Sequence, residues 1–595
     1  MHTSISQRIE ALRLWLTRNN YDAIIVPHED EYLSEYLPLH NERLHWATGF
    51  TGSAGVAVIT QNNAAIFVDG RYTVQVQNQV PDSIFEYKHL IDDPYLSWIN
   101  SQFTRTAIIA FDPKMHSANW YNSASSFLNK HMSLAAVAQN PIDQLWADRP
   151  IAKLSEMRLM DDSISGQSCQ DKRDQISAYL TSNDVDAAIL TKLDSICWLL
   201  NIRGSDISRL PVLLSHAIIY SDATVDFFLD SNRKIDGFEA HAGTGVSIKQ
   251  PDQLQQCIDK LAHKRVILDP MSSNAWFKLA MDSASIEVIE SPDPCSLPKA
   301  QKNNVETDGM KSCHVLDGIA MVKFLRWLDE EVAAERLHNE AIISDKLQAF
   351  REQEPSLVDL SFDTISAAGA NAAMCHYNHN DQSAPGALSI DSLYLVDSGG
   401  QYLNGTTDIT RTVAIGTPSL EMRTLFTLVL KGHISLANAV FPHGTTGSQL
   451  DVLARQHLWS NGYDYDHGTG HGVGHFLSVH EGPQSISKKP NTVALLPGMV
   501  LSNEPGYYRA DHFGIRIENL ELVVEKKTNG DFSALGFESL TLCPIDYRNI
   551  EVTLLTDSEL NWLNQYHQKV WHALHIHLEQ DDKGWLRQAT MPLSR

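Results

Sequence analysis

The sequence predicts a protein of mixed class, in which two similar α/β domains precede a third domain of α+β character. Three observations predict this class. Helices alternate with short apolar strands in the first part of the chain, and the part that follows repeats several of the same motifs. Beyond residue 304 a long helix leads into strands that begin or end at carboxylates. We therefore expect domains at 1–165, 166–303 and 304–595.

The first predicted domain opens with an amphipathic helix that starts near Ser4. A short apolar strand follows in Asp22-Ala-Ile-Ile-Val, and two more lie near 55–60 and just before Asp69. Helices interleaved with apolar strands indicate an α/β layer architecture. Polar, proline-containing segments near 141–171 and 291–299 are typical of joints between domains.

The second predicted domain is a degenerate copy of the first. Three pairs of segments correspond in order: Asp22-Ala-Ile-Ile-Val and Asp186-Ala-Ala-Ile-Leu, Trp46-Ala-Thr-Gly-Phe-Thr-Gly-Ser and Trp198-Leu-Leu-Asn-Ile-Arg-Gly-Ser, Phe67-Val-Asp and Phe227-Phe-Leu-Asp. Two copies of roughly 150 residues are too few and too long for a solenoid of stacked repeats. The pattern therefore indicates a duplicated domain.

The third predicted domain begins and ends with an amphipathic helix. The first helix runs from about 306 to 331, and its apolar positions are typical of a core helix. The second is a C-terminal helical extension that begins at the capping box Thr556-Asp-Ser-Glu559. Its apolar stripe fits either the core or a contact with another subunit: Leu560, Leu563, Tyr566, Val570 and Leu574.

Four histidines lie within fourteen residues in the segment from His467 to His480. The four glycines between Gly468 and Gly474 make a helix there costly by roughly 1 kcal/mol each, so we expect a tight loop. Imidazole is a common ligand of transition metals, and glycine lets a backbone approach a bound group. The loop therefore suggests one part of a metal site, although surface or core histidines would explain it equally well on its own.

Carboxylates occupy strand-forming segments on both sides of this loop. Asp397 and Asp408 flank a Gly/Asn turn between two strongly β-forming runs, so a hairpin can bring them together. Glu504 ends an apolar strand, and Glu518 shares one face of an alternating strand with Arg516. Each acid alone fits a solvated turn or an ion pair. Their common arrangement on strands indicates a shared site.

Carboxylates gathered on adjoining strands repel and raise one another's pKa unless cations neutralise them. Two divalent ions would do so, with two carboxylates bridging them across about 3.5–4 Å. The predicted metal ligands are Asp397, Asp408, His471, Glu504 and Glu518.

These residues in their contexts resemble the pita-bread metallopeptidases, and within them the aminopeptidase P family in its long, three-domain cytosolic form. The matching contexts are Val-Asp397-Ser-Gly, Thr-Thr-Asp408-Ile-Thr-Arg, His467-Gly-Thr-Gly-His471, Asn-Glu504-Pro-Gly and Ile-Arg-Ile-Glu518-Asn. The resemblance runs along nearly the whole chain. It implies two similar α/β domains followed by a pita-bread catalytic domain, and the release of the N-terminal residue from peptides with proline at the second position. It also implies a homodimer formed through the catalytic region, to which the apolar stripe of the C-terminal helix is expected to contribute.

The resemblance also implies how the metal ligands are shared. Asp397 is expected to bind one ion, His471 and Glu504 the other, and Asp408 and Glu518 both. Glu504 is further expected to carry the proton from water to the leaving proline nitrogen.

The remaining predicted roles belong to histidines and one arginine. Three histidines match the family's catalytic positions and are expected to bind substrate carbonyls and the intermediate: His376, His467 and His480. Arg516 is expected to orient the carboxylate of Glu518. His475 has no such match, so a packing or surface role is favoured.

Composition excludes several classes of function. The chain has 595 residues, 43% of them apolar, which is ordinary for a globular protein of several domains. A formal net charge of −25 argues against a nucleic-acid partner. An apolar leader and a run of about 18 apolar residues, which would indicate export or a membrane span, are both missing from the sequence. Seven scattered cysteines fit reduced thiols, so we expect a cytoplasmic protein.

A site of mostly oxygen ligands with one nitrogen suits Mn²⁺, the family's usual ion, and we expect two Mn²⁺ per chain. The Irving–Williams order lets Zn²⁺ or Co²⁺ bind as tightly or more tightly. Three other functions share part of the pattern. A prolidase uses the same ligands but cleaves only dipeptides, and the duplicated front half argues against it. A creatinase-like hydrolase works without the metal carboxylates, and a non-catalytic peptide-binding relative has lost ligands, whereas all five are present here.

Overall fold

The computed structural model describes residues 4–382 and 384–595. The chain divides into two compact units. The first comprises the residues up to Met160 together with Gln167–Ser296, and the second comprises Asp161–Gly166 together with Leu297–Arg595. This division does not separate the two predicted α/β domains, so the boundary between them stays a prediction.

The first part of the first unit is a six-stranded sheet between helices. Its strands are β1 (Ala23–Pro27), β2 (Gly55–Thr60), β3 (Ala64–Val68), β4 (Glu86–His89), β5 (Ala107–Phe111) and β6 (Met132–Ala136). Their order is β4-β3-β2-β1-β5-β6, with β1 antiparallel to β2 and parallel to β5. The helices are α1 (Ile5–Arg18), α2 (Arg43–Thr48), α3 (Thr73–Gln79), α4 (Tyr95–Gln102), α5 (Ala118–Phe127) and α6 (Pro141–Leu145), with a 3₁₀ turn at Leu39–Asn41.

Strand β1 is buried on both faces, which explains its continuous apolar run. Ile24 and Val26 pack into one apolar cluster, and Ala23 and Ile25 pack into another. Successive side chains of a strand point to opposite faces, so both sides of the sheet are covered.

A second six-stranded sheet follows along the chain. The strands of this part are β7 (Arg158–Leu159), β8 (Ala187–Leu190), β9 (Ile202–Arg203), β10 (His216–Tyr220), β11 (Val225–Phe228), β12 (Val246–Lys249), β13 (Arg265–Leu268) and β14 (Glu287–Glu290). The order in the sheet is β12-β11-β10-β8-β13-β14, while β7 and β9 form a separate ribbon. The helix α7 (Asp162–Ser165) belongs to the second unit. The helices that accompany the second sheet are α8 (Cys169–Ser182), α9 (Leu193–Leu199), α10 (Phe238–Ala242), α11 (Leu254–Asp259) and α12 (Ala275–Ser283), with 3₁₀ turns at Ser231–Arg233 and Pro251–Gln253.

The predicted duplication is confirmed by topology and by one repeated side-chain contact. Both sheets place their first strand between the second and the fifth, with the same parallel and antiparallel pairings. The carboxylate of Asp22 accepts a hydrogen bond from the backbone N–H of Ile108 at 2.8 Å. The carboxylate of Asp186 accepts one from the backbone N–H of Arg265 at 2.9 Å. Each aspartate precedes the first strand of its sheet and ties it to the fifth.

The second unit contains antiparallel sheets flanked by helices. Its strands are β15 (Leu357–Leu360), β16 (Ile365–Ala368), β17 (Ser392–Ser398), β18 (Gly400–Tyr402), β19 (Gly405–Thr406), β20 (Ile409–Ile415), β21 (Val440–Pro442), β22 (Gly470–Gly472), β23 (Glu481–Ile486), β24 (Val500–Asn503), β25 (Gly506–Arg509), β26 (Phe513–Arg516), β27 (Asn519–Lys526) and β28 (Ala534–Ser539). The largest sheet has the order β21-β28-β27-β24-β22-β23, and smaller ones join β15-β18-β19, β16-β17-β20 and β25-β26.

The helices of the second unit agree with the two long helices that the sequence predicts. They are α13 (Ser296–Ala300), α14 (Asn304–Ala333), α15 (Glu340–Arg351), α16 (Leu420–Ala437), α17 (Gly447–Trp459), α18 (Asp557–Leu574) and α19 (Gln580–Ala589). Further 3₁₀ turns lie at Gly369–Ala373, His379–Asp381, Tyr547–Asn549 and Val552–Leu554. Thr556 caps α18 through the predicted capping box. Along the described ranges 4–382 and 384–595, no helix is long and apolar enough to cross a membrane.

The apolar stripe of α18 is core, which corrects its interpretation as a subunit contact. Leu563, Val570 and Leu574 are fully buried within the chain, in the same cluster as Ile515 and Ile517 beside the site strands. A stripe that is already covered by its own chain cannot supply the dimer interface. The sequence pattern is the same for both situations, because a helix needs an apolar face to pack against either partner.

Candidate active site

The predicted hairpin brings Asp397 and Asp408 into one buried region. Strand β17 pairs with β20 so that Asp397 lies opposite Thr410, and Asp408 immediately precedes β20. The two aspartates are 7% and 3% exposed. In each of them the Oδ1 atom is buried without a hydrogen-bond partner.

His471 lies on a strand, so the prediction of a loop along the whole Gly/His segment is wrong at this point. It is the middle residue of β22, which pairs with β23 and β24. The flanking glycines allow this, because a Cβ on Gly470 would lie 2.0 Å from the carbonyl oxygen of Ser502 and one on Gly472 would lie 2.1 Å from that of Glu481. Close approach of neighbouring strands therefore requires the glycines that the sequence pattern associates with a loop.

Glu504 directly follows β24 and is linked to His471 through Ser502. The Ser502 hydroxyl accepts a hydrogen bond from the His471 backbone N–H at 2.9 Å and donates one to Oε1 of Glu504 at 3.1 Å. The Glu504 backbone N–H also donates to the carbonyl of Thr469 at 2.8 Å. The carboxylate is therefore held at a defined distance from the strand that carries His471.

Glu518 lies between β26 and β27 and is 1% exposed. The hydroxyl of Thr410 donates to its Oε2 at 2.7 Å, while Oε1 is buried without a hydrogen-bond partner. Thr410 belongs to the strand that follows Asp408, so this bond draws the two acid-bearing segments together.

The acids and His471 converge on a small volume. Ligand atoms of Asp408, His471 and Glu518 all lie within 4.8 Å of one another. Nε2 of His471 is 3.5 Å from Oδ2 of Asp408 and 3.6 Å from Oε1 of Glu504. Its Nδ1 donates to the carbonyl of Gly472 at 3.0 Å, which orients the ring so that Nε2 faces the carboxylates.

The electrostatics of this cluster favour cations. Burial raises the pKa of Asp397 to about 6, with a further contribution from the charge of Asp408. Burial and neighbouring carboxylates also raise the pKa of Glu504, and that of Glu518 well above its usual range. Burial lowers the pKa of His471, but its contacts with Asp408 and Glu504 outweigh burial and raise that pKa to about 9. A buried cluster in which three carboxyl pKa values rise is one that added positive charge stabilises.

The residues fit divalent cations by their donor chemistry as well. Within this cluster, three buried carboxylate oxygens have no hydrogen-bond partner: Oδ1 of Asp397, Oδ1 of Asp408 and Oε1 of Glu518. An unpaired buried carboxylate oxygen is costly unless it binds a cation. Four carboxylates and one imidazole form an oxygen-rich set that suits first-row divalent ions.

Arg516 pairs with Asp397 and reaches Glu518, the carboxylate that it is predicted to orient, through a hydroxyl group. Its Nη2 donates to Oδ2 of Asp397 at 2.6 Å, and its Nε donates to the Thr410 hydroxyl at 3.1 Å. The link to Glu518 passes through Thr410. Strand β26 ends at Arg516, so the regular alternation that would place both side chains on one strand face stops before Glu518.

His467 connects to the same arginine through Tyr508. Nδ1 of His467 donates to the carbonyl of Gly468 at 2.7 Å, so Nε2 accepts the hydrogen bond from the Tyr508 hydroxyl at 2.8 Å. The hydroxyl oxygen in turn accepts from Nη1 of Arg516 at 2.7 Å. Both ring nitrogens of His467 therefore have partners, which fix the orientation of the imidazole.

The other predicted histidines lie in different surroundings. The rings of His480 and His471 contact edge to face, with centroids 4.4 Å apart. His376 is half-buried, and the carbonyl of the preceding Cys375 lies 3.5 Å from Nη2 of Arg516. His475 is buried beside Glu306, as expected for a packing residue.

Comparison with known proteins agrees with this architecture. The model of the creatinase/prolidase N-terminal domain matches residues 8–145, and a second model of that description matches 148–306. Metallopeptidase family M24 matches 308–525, and the C-terminal region of peptidase M24 matches 533–593. Probable Xaa-Pro aminopeptidases P from Aspergillus flavus and Tuber melanosporum are each 38% identical over 99% of this chain, which corresponds to 93% and 99% of their lengths.

The chain belongs to the Xaa-Pro aminopeptidase P family of M24 metallopeptidases. A solved X-prolyl aminopeptidase from Caenorhabditis elegans, described as a cytosolic enzyme with a di-nuclear active site, is 33% identical to it. The two structures align over 100% of both chains with a TM-score of 0.95. The predicted pita-bread domain behind two creatinase-type domains is confirmed, and the chain is a metal-dependent aminopeptidase.

Three residues of this M24 site escaped prediction from the sequence: Thr410, Ser502 and Tyr508. Each positions a predicted site residue through its hydroxyl group. Thr410 lies two residues after Asp408, and Ser502 lies two residues before Glu504. Nearness in sequence to a predicted ligand is therefore the signal that could have indicated their roles. Tyr508 has none, because it reaches His467 across about forty residues of intervening chain.

Proposed function

We propose that this enzyme hydrolyses the peptide bond between an N-terminal residue and a following proline, with two divalent cations held by Asp397, Asp408, His471, Glu504 and Glu518. The observation that carries the metal assignment is the set of three buried carboxylate oxygens without hydrogen-bond partners. The substrate class is supported by the 38% identity over 99% of the chain to aminopeptidases named for Xaa-Pro peptides.

We assign Asp397 to one ion, His471 and Glu504 to the other, and Asp408 and Glu518 to both. Nε2 of His471 faces Asp408 and Glu504 at 3.5 and 3.6 Å, which supports their common assignment. When bound, the two ions would lower the pKa of a shared water and polarise the scissile carbonyl.

Glu504 is the proposed proton carrier. Its side chain is 17% exposed, against 11% for Asp397 and 5% for Asp408, so it is the most accessible of these carboxylates to water and substrate. Burial raises its pKa, which suits a group that accepts a proton near neutral pH. Ser502 holds one of its oxygens and leaves the group oriented for transfer to the leaving proline nitrogen.

His376, His467 and His480 are the proposed substrate-binding histidines. The contact of His480 with the His471 ring supports its place beside the reacting carbonyl. The hydrogen bond with Tyr508 supports the role of His467 by fixing the orientation of its ring. Arg516 acts through Asp397, whose carboxylate it holds at 2.6 Å.

We propose Mn²⁺ as the physiological ion, because four carboxylates and one imidazole form an oxygen-rich set. Zn²⁺ or Co²⁺ would bind the same ligands with similar or higher affinity. Elemental analysis of protein purified without added metal tests this directly. Two equivalents of manganese per chain are expected, and a preparation that holds only trace metal and keeps full turnover in a strong chelator would contradict the proposal.

A prolidase is the second candidate, since it would use the same ligands. The two N-terminal sheets of this chain argue for the aminopeptidase, in agreement with the relatives that align along its whole length. Apoprotein reconstituted with Mn²⁺ should be assayed with Arg-Pro-Pro, the matched Arg-Ala-Pro and the dipeptide Arg-Pro. We expect turnover of the first and little of the second. Turnover of the dipeptide alone would identify a prolidase, and metal-loaded protein without any turnover would indicate a peptide-binding relative.

We further propose that the enzyme is a cytoplasmic homodimer that binds neither membranes nor nucleic acid. The net charge of −25 and the seven free cysteines, six of them buried, support this. The related nematode enzyme is described as cytosolic. Sedimentation equilibrium of the metal-loaded protein should give twice the chain mass of 66.5 kDa.

A further inference from the structure

A buried polar cluster lies behind the loop that carries His467. Its members are Asp451 and Arg455 on α17, with Tyr465 and Thr469 in the segment that follows. The side chains of Arg455 and Asp451 are 0% and 4% exposed. We call these four residues the Arg455 cluster, and the function proposed above assigns them no role.

Arg455 fixes the backbone of the loop. It donates from Nε to Asp451, from Nη1 to the carbonyl of Tyr465 and from Nη2 to the carbonyl of His467, each at 2.7 Å. A guanidinium group is planar and rigid, so three bonds in different directions set the positions of their acceptors relative to one another. The two carbonyls flank the peptide units that lead into His467, and its main chain is therefore anchored to α17.

Tyr465 contacts the imidazole itself. Its ring centroid lies 3.8 Å from the guanidinium carbon of Arg455 and 4.8 Å from the His467 ring, which is tilted by 40°. The Thr469 hydroxyl donates to Asp451 at 2.6 Å, so it accepts from the Tyr465 hydroxyl at 2.5 Å. The tyrosine ring is thus held at its hydroxyl end by hydrogen bonding and at its face by a cation–π contact.

Gly468 follows His467 directly and has no side chain, so the side chains of other residues must locate the imidazole. A Cβ on Gly468 would make ordinary contacts, 3.6 Å from the carbonyl oxygen of Ile486 and from Cβ of Ser487, so the glycine holds the histidine through its own carbonyl, which accepts from Nδ1, and not through a side chain. The imidazole is then located by Tyr508 at Nε2 and by the ring of Tyr465 at its side.

We propose that Arg455 and Tyr465 are positioning residues that set the place and plane of the His467 imidazole for substrate binding. This inference rests on the substrate-binding role proposed for His467. The two residues act through His467, and metal content is measured beside activity because the carbonyl of Thr469 also accepts a hydrogen bond from the backbone N–H of Glu504.

Tyr465→Leu removes the ring, and Tyr465→Phe is its matched control because it keeps the ring and loses only the hydroxyl. We expect the leucine variant to lose about 100-fold in kcat/KM on Xaa-Pro-Yaa peptides, since misplacement of a substrate-binding group by about 1 Å has an effect of that size. The phenylalanine variant should lose far less. Manganese content should stay at the wild-type value in both.

The decisive measurement is the same substitution in the His467→Ala background. Tyr465→Leu should cost nothing further there, because the residue that it positions is gone. An equal loss in both backgrounds, or loss of metal together with activity, would overturn the proposal. Should the leucine variant fail to fold, Arg455→Lys takes its place in the same cycle, because lysine keeps the charge beside Asp451 but cannot reach both carbonyls.

Wild-type turnover separates this inference from the proposed function. If the wild-type enzyme does not cleave Xaa-Pro-Yaa peptides, the proposed function fails, and the crystal structure of Tyr465→Leu still decides the positioning. We expect its His467 ring to have left the Tyr508 hydroxyl. A ring in the wild-type position would contradict the inference.

Discussion

Arg516 donates to Oδ2 of Asp397 across 2.6 Å, and Oδ1 of the same carboxylate has no hydrogen-bond partner. One oxygen is therefore fixed by protein and the other is available to a cation. The same guanidinium donates to Thr410, which holds Glu518, and to Tyr508, which holds His467. A single buried arginine thus connects predicted metal ligands with a predicted substrate-binding residue.

The first prediction follows from this geometry. Arg516→Lys keeps the positive charge but loses the planar fork that reaches Asp397, Thr410 and Tyr508 together. We expect metal affinity to fall about 10–100-fold, as is usual when a residue that orients a ligand is changed. Calorimetric titration of the apoprotein with Mn²⁺ measures it. Arg509→Lys, on the paired strand β25 and bound to Glu421 near the surface, is the control. Equal affinities in the two variants would refute the prediction.

The second prediction concerns metal removal. Without cations, the buried carboxylates of Asp397, Asp408 and Glu518 face one another with unpaired oxygens, so the apoprotein should be less stable than the metal-loaded form. At a free Mn²⁺ concentration 100 times Kd, binding adds about 2.7 kcal/mol per site. Differential scanning calorimetry with and without chelator should show a concentration-dependent rise in the Tm of the catalytic unit. An unchanged Tm across the titration would show that no ion binds there.

The third prediction separates ligand from catalytic histidines. His471→Ala removes the only nitrogen ligand from the cluster, so bound metal and turnover should both collapse. His480→Ala should keep two ions and lose about 10²–10³ in kcat, the usual effect of removing one transition-state donor. Elemental analysis and steady-state kinetics on the same samples give both quantities. Loss of metal from the His480 variant, or full turnover with its metals in place, would reverse our division of the two roles.

Much of the fold was predictable because each pattern had a local physical cause. The apolar run after Asp22 is buried on both faces of a sheet, and the matching run after Asp186 repeats even the hydrogen bond to the fifth strand. The capping box at Thr556 begins α18 where expected. Each of these features depends on residues that lie close together in the sequence, so the sequence alone predicts it.

The predictions that were wrong concern features that depend on residues far apart in the chain. By propensity, Gly470 and Gly472 are typical of a loop. They lie in a strand because β23 and β24 approach β22 so closely that only glycine fits at these positions. The apolar stripe around Val570 is core because its partners are residues such as Ile515, more than fifty positions away. The role of Tyr508 could not be predicted from the sequence for the same reason, since it lies between His467 and Arg516 only in the folded chain.

The last prediction concerns pH and a buried acid outside the metal cluster. Glu521 on β27 is 1% exposed, and burial raises its pKa to about 7, although the Ser539 hydroxyl partly stabilises the charge. The folded state therefore holds this proton more tightly than the unfolded chain, whose carboxyl has the usual pKa of 4.5. Its contribution to stability is present at low pH, falls as the pH rises through the window between those two values, and stays constant above it.

Glu521→Gln removes this titration and keeps an oxygen that can accept from Ser539. The variant should exceed the wild type by roughly 1 kcal/mol near pH 5 and by roughly 3 kcal/mol at pH 8, since one pKa unit corresponds to about 1.4 kcal/mol. The difference in unfolding free energy between variant and wild type, measured at saturating Mn²⁺ from pH 5 to 8, isolates the effect because the metal ligands are common to both. Glu525→Gln, exposed on the same strand, controls for the change of charge. A gap between Glu521→Gln and the wild type that does not widen with pH would mean that the Glu521 carboxylate is ionised in the folded protein throughout this range.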